Sequence, residues 1–301
     1  MKTSAPGKLM LLGEHAVMYG YPCLVSAVDK RVYVNAELID GAIDIIEAPQ
    51  AKNPRFVKEV IRYLKAKYHL KSAVKVSTNG DISNGIGLGS SSAVTVATCA
   101  VLSEVWNLSL SSRDIFDISY KVILSIQRVG SGFDIAAATF GGTLFYVKGG
   151  DTVQKLSVGS LPIVVGYSKE KANTAKIVQA VASRYKNDQK RMDRIFEQIS
   201  KLVNEGKQSL LAKNMEQFGQ LMTQNHFLLK ELGVSTIKLD EMVSASLDAG
   251  AHGAKLSGAG GGDIMIALVP EEKMDAVKRA IKQAGGEIIE VQTGVDGIKT
   301  S

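Results

Sequence analysis

Cysteine is scarce: Cys23 and Cys99 are the only two thiols in 301 residues. They lie far apart in apolar surroundings and have no metal-ligand spacing. That argues against a thiolate metal site and a disulfide framework, and for reduced, buried thiols of a cytoplasmic protein. No apolar run approaches the roughly 20 residues that a membrane helix needs. The first residues, MKTS, lead straight into a strand-like run without the shape of a signal peptide. There is no basic block with interleaved aromatics. Net charge is +6, but Lys and Arg are spread among acids, so nucleic acid is not an expected partner and small anionic molecules suit the charge better. Proline is rare, at 6 residues, and no proline- or serine-rich linker and no internal repeat divides the chain.

What is present is the composition of a soluble globular protein, 45% hydrophobic and 22% charged, long enough for one large domain or two ordinary ones. Residues 8–12 form a compact apolar run ending at Gly13, a strand. Residues 24–38 alternate well enough for one long strand or two. Residues 56–68 have helical spacing at Phe56, Val60, Ile61 and Leu64. Residues 74–78 read as a strand before the turn formers Asn79, Gly80 and Asp81. The small apolar stretch 92–102 reads as a buried helix, residues 111–126 as a second helix and 143–147 as a strand. In the second half, 162–166 is a strand. Residues 191–203 place Met192, Ile195, Phe196, Ile199, Leu202 and Val203 on one helical face, with Gly206 as a cap. Amphipathic helices over 210–232 and 239–247 precede a strand, helix and strand over 264–269, 271–283 and 287–291. Strands dominate early and helices late. That predicts an α+β protein of two tightly packed lobes, 1–160 and 161–301.

The 29 glycines cluster in non-random company. Residues 85–94, GIGLGSSSAV, open the apolar helix. Glycines admit close backbone approach and positive φ, and a helix start offers unpaired N–H groups and the positive end of its dipole. The stretch is therefore either an anion site or a glycine turn with a serine cap. It lacks the Gly-Lys-Ser/Thr ending of a Walker A loop. Residues 255–263, KLSGAGGGD, precede a strand and read either as a tight turn or as a backbone lying flat against a ligand. Residues 130–134, GSGFD, place Asp134 at a helix start, as a helix cap or as a base facing a bound alcohol. Residues 8–20, KLMLLGEHAVMYG, put Lys8 on a strand and Glu14 and His15 at a glycine turn. There is no second histidine for a zinc-binding His-Glu-x-x-His motif. His69, His226 and His252 read as structural.

Taken in order, these segments resemble the superfamily of galactokinases, homoserine kinases, mevalonate kinases and phosphomevalonate kinases, over nearly the whole chain. Residues 4–17 resemble its first motif, 87–93 its second and 255–262 its third. GEHAVMYG at 13–20 and FGQLMTQNHFLLKELGVS at 218–235 resemble the mevalonate kinase branch. The resemblance implies an N-terminal lobe like ribosomal protein S5 domain 2 and a ferredoxin-like C-terminal lobe. It implies transfer of the γ-phosphoryl of ATP to the primary hydroxyl of mevalonate, with Mg²⁺. It further implies ATP binding by Gly85, Gly87, Leu88, Gly89, Ser90, Ser91 and Ser92, with Ser91 as a Mg²⁺ ligand. Asp134 and Lys8 are the implied catalytic pair. Glu14, His15, Thr174, Gly258, Ala259 and Gly260 are implied on the substrate side, and a homodimer is implied for the assembly.

The chain departs from the branch at four places. Residues 121–128, KVILSIQR, hold no acid where mevalonate kinases commonly carry a Mg²⁺-binding glutamate. Gln127 with GSGFD looks more like phosphomevalonate kinases. Ser83 stands where proline is usual before the phosphate loop, and Asp263 where glycine is usual. The first and last thirds thus point to mevalonate and the middle to a phosphorylated acceptor. The alternatives are a kinase of phosphomevalonate or another small alcohol, and a catalytically silent binding protein of the same fold.

Overall fold

The computed structural model describes residues 1–50, 53–82 and 86–300. The expected phosphate-loop residue Gly85, and Ser83 before it, lie outside the described residues. The chain opens with two long antiparallel strands, β1 (Lys2–Leu12) and β2 (Cys23–Ile39), joined through a 3₁₀ turn over Ala16–Tyr19. The expected strand at 8–12 is the end of β1, and 24–38 is one strand, not two. Helix α1 (Arg55–Tyr68) links β3 (Ile45–Glu47) to β4 (Ala73–Gly80). Helices α2 (Ser90–Val105), α3 (Ser112–Gln127) and α4 (Phe133–Phe140) follow, then β5 (Thr143–Val147) and β6 (Thr152–Leu156).

These strands form one sheet in which β2 is the spine. Its first residues pair with β5 and its last eight with β4, while β1 covers its other edge. Helix α2 is small and apolar nearly all round because it is enclosed by the sheet and the neighbouring helices; 12 of its residues are buried. Helix α3 begins at a capping box, in which Ser111 and Asp114 exchange side-chain to backbone hydrogen bonds.

The second lobe runs β7 (Ile163–Tyr167), α5 (Thr174–Asn187), α6 (Gln189–Leu211), α7 (Met215–Glu231), α8 (Ile237–Asp248), β8 (Gly253–Ser257), β9 (Ile264–Leu268), α9 (Met274–Gln283) and β10 (Glu287–Ile289). Its antiparallel sheet has the order β10-β7-β9-β8. Numbered within the lobe, that is 4-1-3-2, the order of the split βαβ or ferredoxin-like unit. The chain then returns: β11 (Lys299–Thr300) pairs with β1, so the last residues complete the first sheet. Among the described residues no helix is long and apolar enough to cross a membrane. Cys23 and Cys99 are both buried and free, as the sequence suggests.

Two expectations fail locally. Gly206 does not cap a helix, because α6 runs through it to Leu211. A Cβ there would come within 2.5 Å of Leu12 Cδ1, so the glycine is a close-packing point between α6 and the first sheet. The helix expected over 210–232 is interrupted. Lys213 adopts φ +57, and the Asn214 side chain caps the new helix α7 by accepting from the Gln217 N–H.

Candidate active site

Helix α2 begins on Gly89, which takes a left-handed conformation (φ +80), has no side chain to cap the helix and, among the described residues, leaves its first N–H groups without a side-chain partner. Gly87 is also left-handed, at φ +78. Leu88, between them, is buried and accepts the Lys8 N–H at 2.9 Å, which anchors the loop on β1. A Cβ on Gly89 would stand 3.2 Å from Lys8 Cγ and 3.8 Å from Asp134 Cβ. The absence of a side chain at this position therefore lets three elements meet.

Lys8 is buried and donates to the Gly87 carbonyl at 2.8 Å. Burial pushes its ammonium below the usual lysine range, while the charges of Asp134, Glu14 and Asp263 pull it back up. Asp134 lies in the first turn of α4. The helix cap is Gly132 (φ +91), not Asp134. The Gly130–Gly132 approach is pinned by hydroxyls: Tyr120 donates to Gly130 O at 3.0 Å and Tyr146 to Ser131 O at 2.6 Å. The Asp134 carboxylate is thereby aimed at the loop that opens α2, where Ser92 Oγ donates to its Oδ2 at 2.6 Å.

Glu14 and Lys255 form an ion pair that is almost wholly buried. Asn225 Nδ2 donates to the other Glu14 oxygen at 3.3 Å, and Lys255 also donates to its neighbour's carbonyl, Leu256 O, at 2.5 Å. Glu14 lines the cleft, yet both of its oxygens are engaged within the protein. His15 sits at φ +61 with Nε2 2.9 Å from Ala259 O, and burial lowers its pKa. Ser257 Oγ both accepts from Met10 N and donates to Met10 O. Together these contacts clamp the Gly258–Asp263 loop of the second lobe onto β1 of the first.

The result is a cleft of about 590 Å³ between the lobes. Lys8, Glu14, His15, Gly87, Leu88, Gly89, Ser90, Ser91, Asp134, Thr174, Gly258 and Ala259 all line it. Two expected residues stand behind its wall. Ser92 is buried and acts on Asp134, and Gly260 backs onto Val234, whose carbonyl would lie 2.1 Å from a Cβ there. A smaller pocket of about 270 Å³, lined by Asn53, Pro54, Phe56 and Asn79, adjoins the cleft and shares Arg55, Ser90 and Ser91 with it.

Sequence reading missed the Ser92–Asp134 bond, the pairing of Lys255 with Glu14, and Asn225. The GSS run and the KLS motif were the available signals, but the partners lie 42 and 241 residues away. Ser91, Asp134 and Asp263 bring hard oxygen donors to the cleft lining. Among the described residues no three His, Cys, Asp or Glu side chains form a metal cluster. One or two carboxylates beside a phosphate loop fit Mg²⁺, which takes most of its ligands from water and substrate phosphates.

Comparison with known proteins agrees with this geometry. Residues 55–142 match the pattern described as "GHMP kinases N terminal domain", 207–287 "GHMP kinases C terminal" and 2–37 "Galactokinase galactose-binding signature". Mevalonate kinase of Pyrococcus abyssi is 38% identical, with 98% of this chain and 96% of that protein aligned. Mevalonate kinase of Methanothermobacter thermautotrophicus is 32% identical, over 89% of each chain. The crystal structure of Methanococcus jannaschii mevalonate kinase superposes with a TM-score of 0.84 at 28% identity, covering 98% of both chains. That of the L. major mevalonate kinase in complex with R-mevalonate superposes with a TM-score of 0.83 at 23% identity, covering 98% of this chain and 96% of that one, a likeness of fold. With relatives above 30% identity aligned across nearly its full length, the chain belongs to the GHMP kinases, in the family of the mevalonate kinases.

Proposed function

We propose that the chain moves the γ-phosphoryl group of ATP onto the primary hydroxyl of mevalonate, giving 5-phosphomevalonate. The observation that carries this reading is the meeting of Lys8, Ser92 and Asp134 around Gly89, at the mouth of a helix start that can hold phosphates. Residues 1–160 serve as the nucleotide lobe and 161–301 as the second lobe, with the final strand returned to the first sheet. The unpaired N–H groups at the start of α2 and the hydroxyls of Ser90 and Ser91 hold the β and γ phosphates. The adjoining pocket at Asn53–Phe56 takes the base. Asp134 accepts the hydroxyl proton while the alcohol oxygen bonds to phosphorus and the bond to the β-phosphate oxygen breaks, releasing ADP. Lys8, whose ammonium feels the Asp134 charge, offsets charge on the transferring group. Ser91 is a ligand for Mg²⁺, which when bound neutralises phosphate charge.

Glu14 and His15 act on the acceptor side by holding the Gly258 and Ala259 loop against β1. Thr174, at the start of α5, closes the opposite wall. The cations that line the cleft among the described residues are Lys8 and Arg55, and Arg55 belongs to the end shared with the smaller pocket. A phosphorylated acceptor would call for a further basic cluster, so this favours mevalonate over phosphomevalonate. A homodimer in the cytoplasm completes the reading.

In a coupled assay, ADP release should require both mevalonate and Mg²⁺, and phosphomevalonate should not replace mevalonate. Asp134→Asn should lower kcat by at least about 100-fold and leave ATP binding intact. No turnover of mevalonate by the unaltered protein would end the proposal.

A further inference from the structure

Asp263 is the residue of the cleft that the reaction just described leaves without a task. It follows Gly260, Gly261 and Gly262, all at positive φ, and itself sits at φ +58. This is a left-handed position where a side chain is uncommon and glycine would be free of strain. The carboxylate is held firmly. The Asp263 N–H donates to Glu170 O at 2.7 Å, its carbonyl accepts from the Ser168 N–H at 2.8 Å, and its Oδ1 accepts from the Ala172 N–H at 3.0 Å. These bonds point the other oxygen across the cleft. Oδ2 stands 3.4 Å from the position of a Cβ on Gly87, and no hydrogen bond to it is found among the described residues.

The phosphate loop is a poor place for a bare carboxylate. Like charges a few ångströms apart repel where solvent screening is weak. ATP seated at Gly87–Ser91 would feel that repulsion unless a cation stood between. The α3 residues that line the cleft, Ile123, Ile126 and Gln127, carry no charge.

We propose that Asp263 supplies, from the second lobe, the carboxylate ligand of the divalent cation that accompanies the nucleotide, opposite Ser91 on the first lobe. The proposal rests on the kinase reading of the cleft. Its consequence is that the metal–nucleotide complex ties the two lobes together, because its protein ligands come from β9's approach loop and from the start of α2.

The test is Mn²⁺ binding to the protein carrying the non-hydrolysable β,γ-imido analogue of ATP, followed by the electron spin resonance signal of free Mn²⁺. Asp263→Asn keeps the Oδ1 acceptor and tolerates positive φ, and Asp263→Gly takes that φ without strain. Both should weaken Mn²⁺ binding to the protein–analogue complex at least tenfold. Both should also bind the analogue in the absence of metal as tightly as the unaltered protein, or more tightly, because a repelling charge is gone. Mn²⁺ held with unchanged affinity by both variants would overturn the proposal. Failure of the unaltered protein to bind the analogue at all would instead defeat the kinase reading, so the two failures are distinct.

Discussion

His226 is buried, 3% exposed, between two partners that fix its tautomer. The Leu256 N–H donates to its Nδ1 at 3.3 Å, and its Nε2, 3.2 Å from Asp240, donates to that carboxylate. A second proton on Nδ1 would face an N–H and lose an acceptor. Burial lowers its pKa to about 4; Asp240 opposes the shift, and Lys255 adds to it. In the unfolded chain the imidazole binds its proton near pH 6.5. Between about pH 6.5 and 4 the unfolded state therefore holds more protons, so stability falls with falling pH across that window. The full loss attributable to this group is about 3 kcal/mol. Urea unfolding measured from pH 7 to pH 4 should show a steeper acid loss for the unaltered protein than for His226→Gln. Parallel profiles would mean that the imidazole is not the group responsible. The histidine was read from sequence as structural, and its partners explain why: it has no free nitrogen to offer a substrate.

At the level of elements, α6 shows how a glycine signal can be right in importance and wrong in kind. Gly206 has a cap's chemistry but sits mid-helix, where the cost relative to alanine is about 1 kcal/mol. What it permits is the approach of α6 to Leu12, Leu24 and Phe218. Gly206→Val should lower the unfolding free energy by about 1–3 kcal/mol through overpacking. An unchanged urea midpoint would show slack in that wall. Strong periodicity made α1, α6 and the β9-to-β10 end readable, because each buries one face. Helix α5 was missed because it has one fully buried residue, Val181, and so no stripe. Strand β6 was missed because four of its five residues are at least partly exposed, and β11 because a two-residue strand exists only through its partner. The site followed the same rule. The loops that line the cleft carry local motifs, whereas Ser92's bond to Asp134 and the Lys255–Glu14 pair depend on contacts that no local spacing encodes.

For the whole molecule the question is what keeps two lobes in register across an open cleft. The Glu14–Lys255 pair, His15 and Ser257 join them beside the site. A second tie lies away from it, in the return of the chain after β10. Gln292 O accepts from the Asp29 N–H, the Gly294 N–H donates to Ala27 O, and Val295 O accepts from the Gly142 N–H. Arg31 is the side chain that closes this tie. It is 8% exposed and spends its donors on Ser4 Oγ, Ser4 O, Asp296 O and Gly297 O, at 2.5–3.0 Å. Arg31→Met keeps the length but strands several buried acceptors, so it should cost about 3 kcal/mol. The loss should appear first as local release of residues 293–300, because their bonds run to the first sheet while their covalent attachment is to the second. Limited proteolysis followed by mass measurement should therefore find cuts after 291 in Arg31→Met under conditions that leave the unaltered protein whole. Lys299→Ala, which removes only an exposed ion pair with Asp296, should resist cleavage like the unaltered protein. Equal resistance of Arg31→Met would place the hold on the tail in its backbone pairing rather than in this guanidinium.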